Sequence, residues 1–359
     1  MRIAVDANSL AWGWGGIPRY IHRIVSRLAR DPALQVTLLA NRDRGFARLP
    51  GTTEVVCRRR GGPIWRNEFV SGWLERERPD VFWAPESLAP WRLSVPTVVT
   101  VHDLGTLTVP SAKPATQRLA YRTSVRHAVS TAACTIAVSR STARELESMW
   151  GVDPSRIEVV HNGVDDHFVP GDRAAAIAEA AERWRLQTPF VLAVGSIEPR
   201  KGLETLAAAA RLARDRGRDW EVVLAGAPGY RGERILATAR AASCRALGPV
   251  DEDDLLTLYQ AAGVLAVPSL HEGFGLTALE AMACGTPVVI AAGSGGLVEV
   301  SEGVALVVPE RTGGAWIAAI DEALTRRDEL AAKGVEHARR FSWDAAADST
   351  RRVLTAAAR

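Results

Sequence analysis

A chain of 359 residues that is 47% hydrophobic and 24% charged is too long for one ordinary core and too apolar for disorder, so two domains of ordinary size are expected. Its four cysteines, Cys57, Cys134, Cys244 and Cys284, make no C-x-x-C pair and no metal-ligand spacing with histidine, which argues against a disulfide scaffold and a metal site and for a reduced, cytoplasmic compartment. The net charge of +3 divides into +6 over residues 1–168 (22 Lys+Arg against 16 Asp+Glu) and −3 over the remainder (22 against 25); no recognition-helix, zinc-finger or RNP-like pattern accompanies the basic half, so nucleic acid is not an expected partner.

From the N-terminus, Met1-Arg2-Ile3-Ala4-Val5-Asp6 turns polar too early for a secretory segment, and no apolar run in the chain approaches the roughly 18 residues of a membrane span. Residues 3–5 predict a first strand. The loop Trp12-Gly13-Trp14-Gly15-Gly16-Ile17-Pro18-Arg19 follows, and residues 20–29 predict a helix with Pro18 at or near its first turn. The glycine spacing is not G-x-G-x-x-G, which speaks against a dinucleotide. The loop reads instead as a flap or second anion contact, or as a tight turn whose tryptophans pack. On the helix, Arg19, Arg23, Arg27 and Arg30 form a ladder opposite Ile21, Ile24, Val25 and Leu28. With Arg58-Arg59-Arg60, that ladder is either a solvated face or an attraction for an anionic acceptor or lipid head group.

Further strands are predicted over 36–40, 55–56, 81–85 and 97–101, in the alternation with amphipathic helices that marks an open α/β sheet. The last of them ends in His102-Asp103-Leu104, at the strand edge where such sheets bind ligands. A lone His can equally be structural. A basic helix over 117–131 and a strand over 135–138 come next, with Ser139 or Ser141 placed to cap the following helix. Gly151-Val152-Asp153-Pro154 breaks that helix, and a strand over 157–160 leads to His161-Asn162-Gly163-Val164-Asp165, where Asn162-Gly163 reads as a turn. An alanine-rich helical connector begins after Pro170, and the domain boundary is expected there.

The second half restarts the same rhythm, which favours two similar α/β domains. A strand over 190–194 leads into Gly195-Ser196-Ile197-Glu198-Pro199-Arg200-Lys201-Gly202 and a helix over 203–215. A cation pair at a strand's carboxyl end and a helix N-terminus suits a diphosphate, although it could be a solvated turn. After a strand over 222–226 comes a loop over 227–232 read as mobile. Asp251-Glu252-Asp253-Asp254 has D-x-D spacing but reads better as the cap of the helix after it than as a metal site. A strand over 263–268 then hands over to His271-Glu272-Gly273-Phe274-Gly275-Leu276-Thr277-Ala278-Leu279-Glu280 and a helix over 276–284. Small residues at that junction let an anion or sugar hydroxyl reach unpaired amides, and Glu272 and Glu280 bracket it. A strand over 287–290, a glycine-rich turn over 293–296, a strand over 305–308, a helix over 316–324 and a last helix capped near Ser342 complete the chain.

The segments Gly15-Gly16-Ile17-Pro18-Arg19-Tyr20, His102-Asp103-Leu104, Val138-Ser139 with Thr142, Arg156 to Asp165, Gly195 to Lys201 and the E-x7-E element from Glu272 to Glu280 resemble, in order, the motifs of the family 4 retaining glycosyltransferases of GT-B architecture. The likeness covers nearly the whole chain. It implies an α/β fold of two Rossmann-like domains facing a cleft: an acceptor-binding domain over 1–168, a nucleotide-sugar domain over 169–340, and a helix over 341–359 packing back on the first. It further implies that Glu280 binds the ribose and that Arg200 with Lys201 holds the diphosphate. Glu272 and the amides of Gly273, Phe274 and Gly275, followed by Leu276 and Thr277 at the helix start, would hold the donor, with His102 and the Gly15-Gly16 loop closing from the other domain. His102, Glu272, Arg200 and Lys201 form the implied catalytic set, with no metal, no cofactor beyond the donor and no protein nucleophile. Ser196 stands where many relatives carry Arg or Thr, Thr277 where they carry Pro, and Gly296-Leu297-Val298-Glu299-Val300 where Ser-Leu-Pro-Glu-Val is common.

The expected function is transfer of a hexose, with mannose from GDP-mannose favoured over UDP- or dTDP-sugars, to a polysaccharide, glycolipid or small-molecule acceptor. The enzyme is expected in the cytoplasm, with peripheral contact at the inner membrane face. The alternatives are an epimerase or hydrolase of nucleotide sugars on the same architecture, and a non-catalytic sugar-nucleotide-binding protein.

Overall fold

The computed structural model describes residues 1–11, 15–42, 49–58 and 62–359. The predicted contacts of Trp12, Gly13 and Trp14, and of Arg59 and Arg60, lie outside the described residues. Two compact units emerge: Met1–Leu104 with Ala115–Gly163 and Ser342–Arg359, and Gly105–Pro114 with Val164–Phe341. The segment Gly105–Pro114, read with the first domain in sequence, is thus part of the second unit.

Among the described residues of the first unit, β1 (Arg2–Asp6), β2 (Gln35–Ala40), β3 (Thr52–Val56), β4 (Val81–Ala84), β5 (Thr97–Val101), β6 (Cys134–Ala137) and β7 (Ile157–Val159) form a parallel sheet ordered β3-β2-β1-β4-β5-β6-β7. β4 and β5 are buried at every position, as near-continuous apolar runs are when helices cover both faces of a sheet. The order reverses between β1 and β4, the switch point at which doubly wound sheets open a crevice at the strands' carboxyl ends. In the second unit, β8 (Phe190–Val194), β9 (Glu221–Ala225), β10 (Arg245–Gly248), β11 (Val264–Val267), β12 (Val288–Ala291) and β13 (Leu306–Val308) are ordered β10-β9-β8-β11-β12-β13 and again parallel. Here the reversal lies between β8 and β11. The loops over 195–202 and 268–275 leave the sheet from those two strands, so topology alone brings both glycine-bearing junctions to one crevice.

Several sequence expectations change. β10 and the helix Arg327–Ala338 were not predicted; β10 is an edge strand, half-buried at all four positions, without the apolar run that betrays a central strand. Gly163 is not a turn glycine. A Cβ there would lie 2.1 Å from the Trp343 nitrogen, so it lets the chain at Ser342-Trp343 pass against the backbone. The alanine-rich segment is no loose connector: the helix Arg173–Trp184, capped by Asp172, belongs to the second unit. The loop over 227–232 is pinned, with Ile197 N donating to Ala227 O and Gly229 N to Ile197 O, each at 2.9 Å.

The arginine ladder also has partners. The helix Gly16–Leu28 buries Tyr20, Ile21, Ile24, Val25 and Leu28, each worth roughly 1.5–3 kcal/mol of burial, and it packs on the final helix, Trp343–Ala357, capped by Ser342. Arg27 pairs with Asp344 at 2.5 Å, and Arg27, Arg30 and Arg351 share a depression of about 450 Å³ with Asp31, Asp344 and Asp348. Carboxylates of the same unit therefore stand beside the Arg27–Arg30 end of the ladder.

Candidate functional site

β8 ends at Val194, and the chain turns at Gly195, whose φ of +125° favours glycine. Pro199–Lys201 then forms one 3-10 turn, closed by Gly202 at φ +63° before the helix Leu203–Asp215. A Cβ on Gly202 would sit 2.4 Å from Pro268 O, which is how closely the β8 loop approaches the loop after β11. Leu270 N donates to Arg200 O at 2.8 Å and fastens the two together.

Glu272 is the hub of this crevice. Lys201 Nζ donates to its Oε1 at 2.6 Å and Ser269 Oγ donates to the same oxygen at 2.7 Å; Arg200 Nη1 donates to Oε2 at 3.2 Å. Its backbone is held as well: Glu272 N donates to Ser294 O at 2.9 Å and Gly296 N to Glu272 O at 2.8 Å. That bridge explains the glycine-rich turn over 293–296. Burial by itself would push the Glu272 carboxyl up, but Lys201 and Arg200, with the hydrogen bonds from Lys201 and Ser269, outweigh it and hold the group at about 2. It is a permanent carboxylate, unsuited to general acid or base work near neutral pH and suited to anchoring cations and accepting hydroxyl protons in hydrogen bonds.

The two cations differ. Arg200 also gives Nη1 to His271 O at 2.8 Å and Nη2 to Glu198 Oε1 at 3.1 Å, so its fork is largely spent on bracing the loops. The Lys201 ammonium has three donors and lies beside Gly195, 3.6 Å from where a Cβ would stand. A third cation arrives from the Gly105–Pro114 segment: Lys113 Nζ is 3.9 Å from Glu198 Oε2 and 5.8 Å from the Tyr230 ring centroid. Lys113 and Ser269 were not picked out from sequence, and no spacing signal marks either one.

Beyond Glu272, Gly275 has φ +102°, and a Cβ there would lie 2.5 Å from Leu297 Cδ1, so only glycine fits. It caps the helix Leu276–Ala283, in which Ala278 N and Leu279 N donate to Gly275 O. The amides of Leu276 and Thr277 precede the first of these donors and lie outside the helical ladder, at the positive end of the dipole. Phe274 is buried with its ring edge-on to Phe341 at 5.9 Å, so its side chain packs in the core of the second unit. Glu280 is 1% exposed and accepts from Tyr259 OH at 2.9 Å; Tyr259 was another residue missed in sequence.

In the first unit, His102 follows β5, and its Nε2 lies 2.7 Å from Pro85 O. A carbonyl only accepts, so Nε2 carries the proton and Nδ1 is an acceptor. Burial pushes the imidazole below its ordinary value, against the pull of Pro85 and Asp103, and the neutral ring stacks edge-on against Tyr20 at 4.7 Å. Gly15 is an extended N-cap to Gly16–Leu28, and neither Gly15 nor Gly16 has an atom within 4 Å of its would-be Cβ. Nearby in topology, at the β1–β4 switch point, Arg66 joins buried Asp6 and Glu86 at 2.6 Å each. Among the predicted residues, then, Arg200, Lys201 and Glu272 are in direct contact. Gly273 to Thr277 and Glu280 continue from the same β11 junction, while His102, Gly15 and Gly16 belong to the other unit.

The family model described as Glycosyl transferases group 1 matches residues 158–341, and the one described as Glycosyltransferase Family 4 matches residues 14–168. A D-inositol 3-phosphate glycosyltransferase of Geodermatophilus obscurus is 38% identical over 313 residues, 80% of this chain and 64% of its own. One from Mycobacteroides abscessus is 39% identical over 222 residues, 59% and 49% of the two chains. The matches thus span less than two thirds of these relatives. Among solved structures, sucrose-phosphate synthase from Thermosynechococcus elongatus aligns at TM-score 0.81 with 23% identity, covering 99% of this chain and 98% of that one. Anabaena HepE in complex with UDP-glucose aligns at TM-score 0.79 with 18% identity, covering 99% and 100%. At these identities the likeness concerns fold, and the fold is GT-B: two Rossmann-like α/β units.

Proposed function

We propose that this chain, which belongs to the Glycosyl transferases group 1 and Glycosyltransferase Family 4 families, transfers a sugar from a nucleoside diphosphate sugar to an acceptor hydroxyl. The observation that carries this reading is the Lys201–Glu272–Arg200 cluster at the β8–β11 switch point. Cleavage of the sugar–phosphate bond leaves negative charge on the diphosphate, and fixed cations and helix-start amides that tighten on that charge lower the barrier. Lys201 is the cation that moves from Glu272 to the phosphate; Arg200 keeps the loops in register. The Glu272 carboxylate then accepts from donor-sugar hydroxyls, Glu280 from the ribose, and His102 Nδ1 from a further hydroxyl. Lys113, Arg200 and Lys201 supply the charge that a metal would otherwise bring; same-face attack with retention, in which the departing phosphate takes the acceptor proton, is carried over from the family resemblance, and the Glu272 carboxylate, held ionised, is compatible with it.

The name of the curated relatives makes an inositol phosphate the first acceptor to test, and nothing in those names favours mannose. The decisive experiment is calorimetric titration with UDP-, GDP- and dTDP-sugars, followed by mass spectrometry of products with an inositol phosphate as acceptor. Transfer that disappears in Lys201→Met supports the reading. Free sugar released without acceptor marks a hydrolase instead, and binding without turnover marks a non-catalytic protein.

A further inference from the structure

The most exposed large apolar side chains among the described residues are Leu119 at 66% and Ile64 and Trp91 at 53%, and all three belong to the first unit. Contacts of Trp91 tie the elements that carry them together. The Trp91 indole stacks on His127 with ring centroids 4.0 Å apart, and Trp91 N donates to Asn67 Oδ1 at 2.8 Å. His127 lies on the helix Ala115–Thr131, about two turns beyond Leu119, and Asn67 follows Ile64 by three residues. On that helix, Arg122 and Arg126 stand three and seven positions after Leu119, on its exposed side, and Arg92 is exposed next to Trp91. None of these three arginines has an ion-pair partner among the described residues. Around Arg122 and Arg126 the sequence is one-sided, since residues 104–144 contain no Asp or Glu, and Glu68, next to Asn67, is an exposed carboxylate beside Ile64.

We propose that this face of the first unit docks on an anionic lipid bilayer. Leu119, Trp91 and Ile64 enter the head-group region, and Arg92, Arg122 and Arg126 pair with lipid phosphates. An exposed apolar patch rimmed by unneutralised cations is costly in water and complementary to that surface, and an indole favours the membrane–water boundary. No described helix is long and apolar enough to cross a membrane, so the contact is peripheral. Arg27 of Gly16–Leu28 does not compete for this role, because it pairs with Asp344 and shares a depression with Asp31 and Asp348.

The test is co-sedimentation of the whole chain with phosphatidylcholine vesicles, with and without phosphatidylglycerol. Binding is expected only to the anionic vesicles and should weaken as salt screens the charge. Each arginine near such a surface contributes roughly a fivefold factor, so Arg122→Gln with Arg126→Gln should lower partitioning about 25-fold. Trp91→Ala and Leu119→Ala should each lower it several-fold. These side chains are exposed, and circular dichroism of each variant should match the parent. Failure to bind anionic vesicles, equal binding to neutral ones, or binding that the double glutamine variant leaves intact would overturn the proposal. Self-association lost in the same variant, with no vesicle binding, would assign the face to a second copy of the chain.

Discussion

Replacing Glu272 by Gln keeps the shape of the side chain and removes the charge that Lys201 and Arg200 share. The carboxyl sits at about 2 in the folded chain against an ordinary 4.5, a difference that corresponds to about 3 kcal/mol between its ionised and neutral forms. The side chain is 12% exposed, so solvent screening takes little from that figure. Glu272→Gln should therefore destabilise the second unit by about 3 kcal/mol at neutral pH. Because the folded value lies below the unfolded one, the contribution is fully present above pH 4.5 and is lost as pH falls toward 2. The gap between parent and variant should be flat above pH 5, roughly halved at pH 3 and nearly gone at pH 2. Urea unfolding across this range, with hydrogen exchange followed in segments 190–202 and 264–283, measures it where it arises. A gap under about 1 kcal/mol at neutral pH, or one that does not shrink on acidification, would refute the ion-pair account. The same variant tests the division of roles. With the competing carboxylate gone, pyrophosphate should bind more tightly to Glu272→Gln than to the parent; equal binding would mean that Lys201 is not shared between Glu272 and a diphosphate.

Lys201→Met should lower kcat/KM by about 100- to 1000-fold, as loss of one transition-state donor does, and steady-state kinetics would show it. Gly202→Ala should cost about 2–4 kcal/mol, from left-handed strain and a Cβ clash with Pro268 O, whereas Gly217→Ala, at φ +65° with nothing within 4 Å, should cost only about 1 kcal/mol; comparing the two melting temperatures isolates the clash. Burial lowers the His102 value from 6.5, so the ring resists protonation in the fold. Its contribution to stability is intact above pH 6.5 and declines as pH falls below that, and nuclear magnetic resonance titration should find its midpoint on the acid side of 6.5.

Runs and caps read from sequence correspond closely to the folded elements. The strand Phe190–Val194 and the helix Leu203–Asp215 lie where the apolar run and the glycine before the helix put them, and Ser139, Asp251 and Ser342 cap their helices as local chemistry predicts. Central parallel strands are legible because burial on both faces demands unbroken apolar runs. β10 was not legible, since an edge strand half in solvent carries no such run.

Sequence by itself determined the two α/β halves, the positions of the glycine junctions and the identity of the charged residues beside them. Only the tertiary structure decided which charges meet. Lys201 and Glu272 are 71 positions apart and Arg27 and Asp344 are 317 apart, separations that no local pattern encodes. Strand order is the physical reason: placing β8 beside β11 closes the first pair, and folding the last helix onto Gly16–Leu28 closes the second. The first pairing joins two separate loops into one ion-paired cluster, and the second ties the last helix to the first.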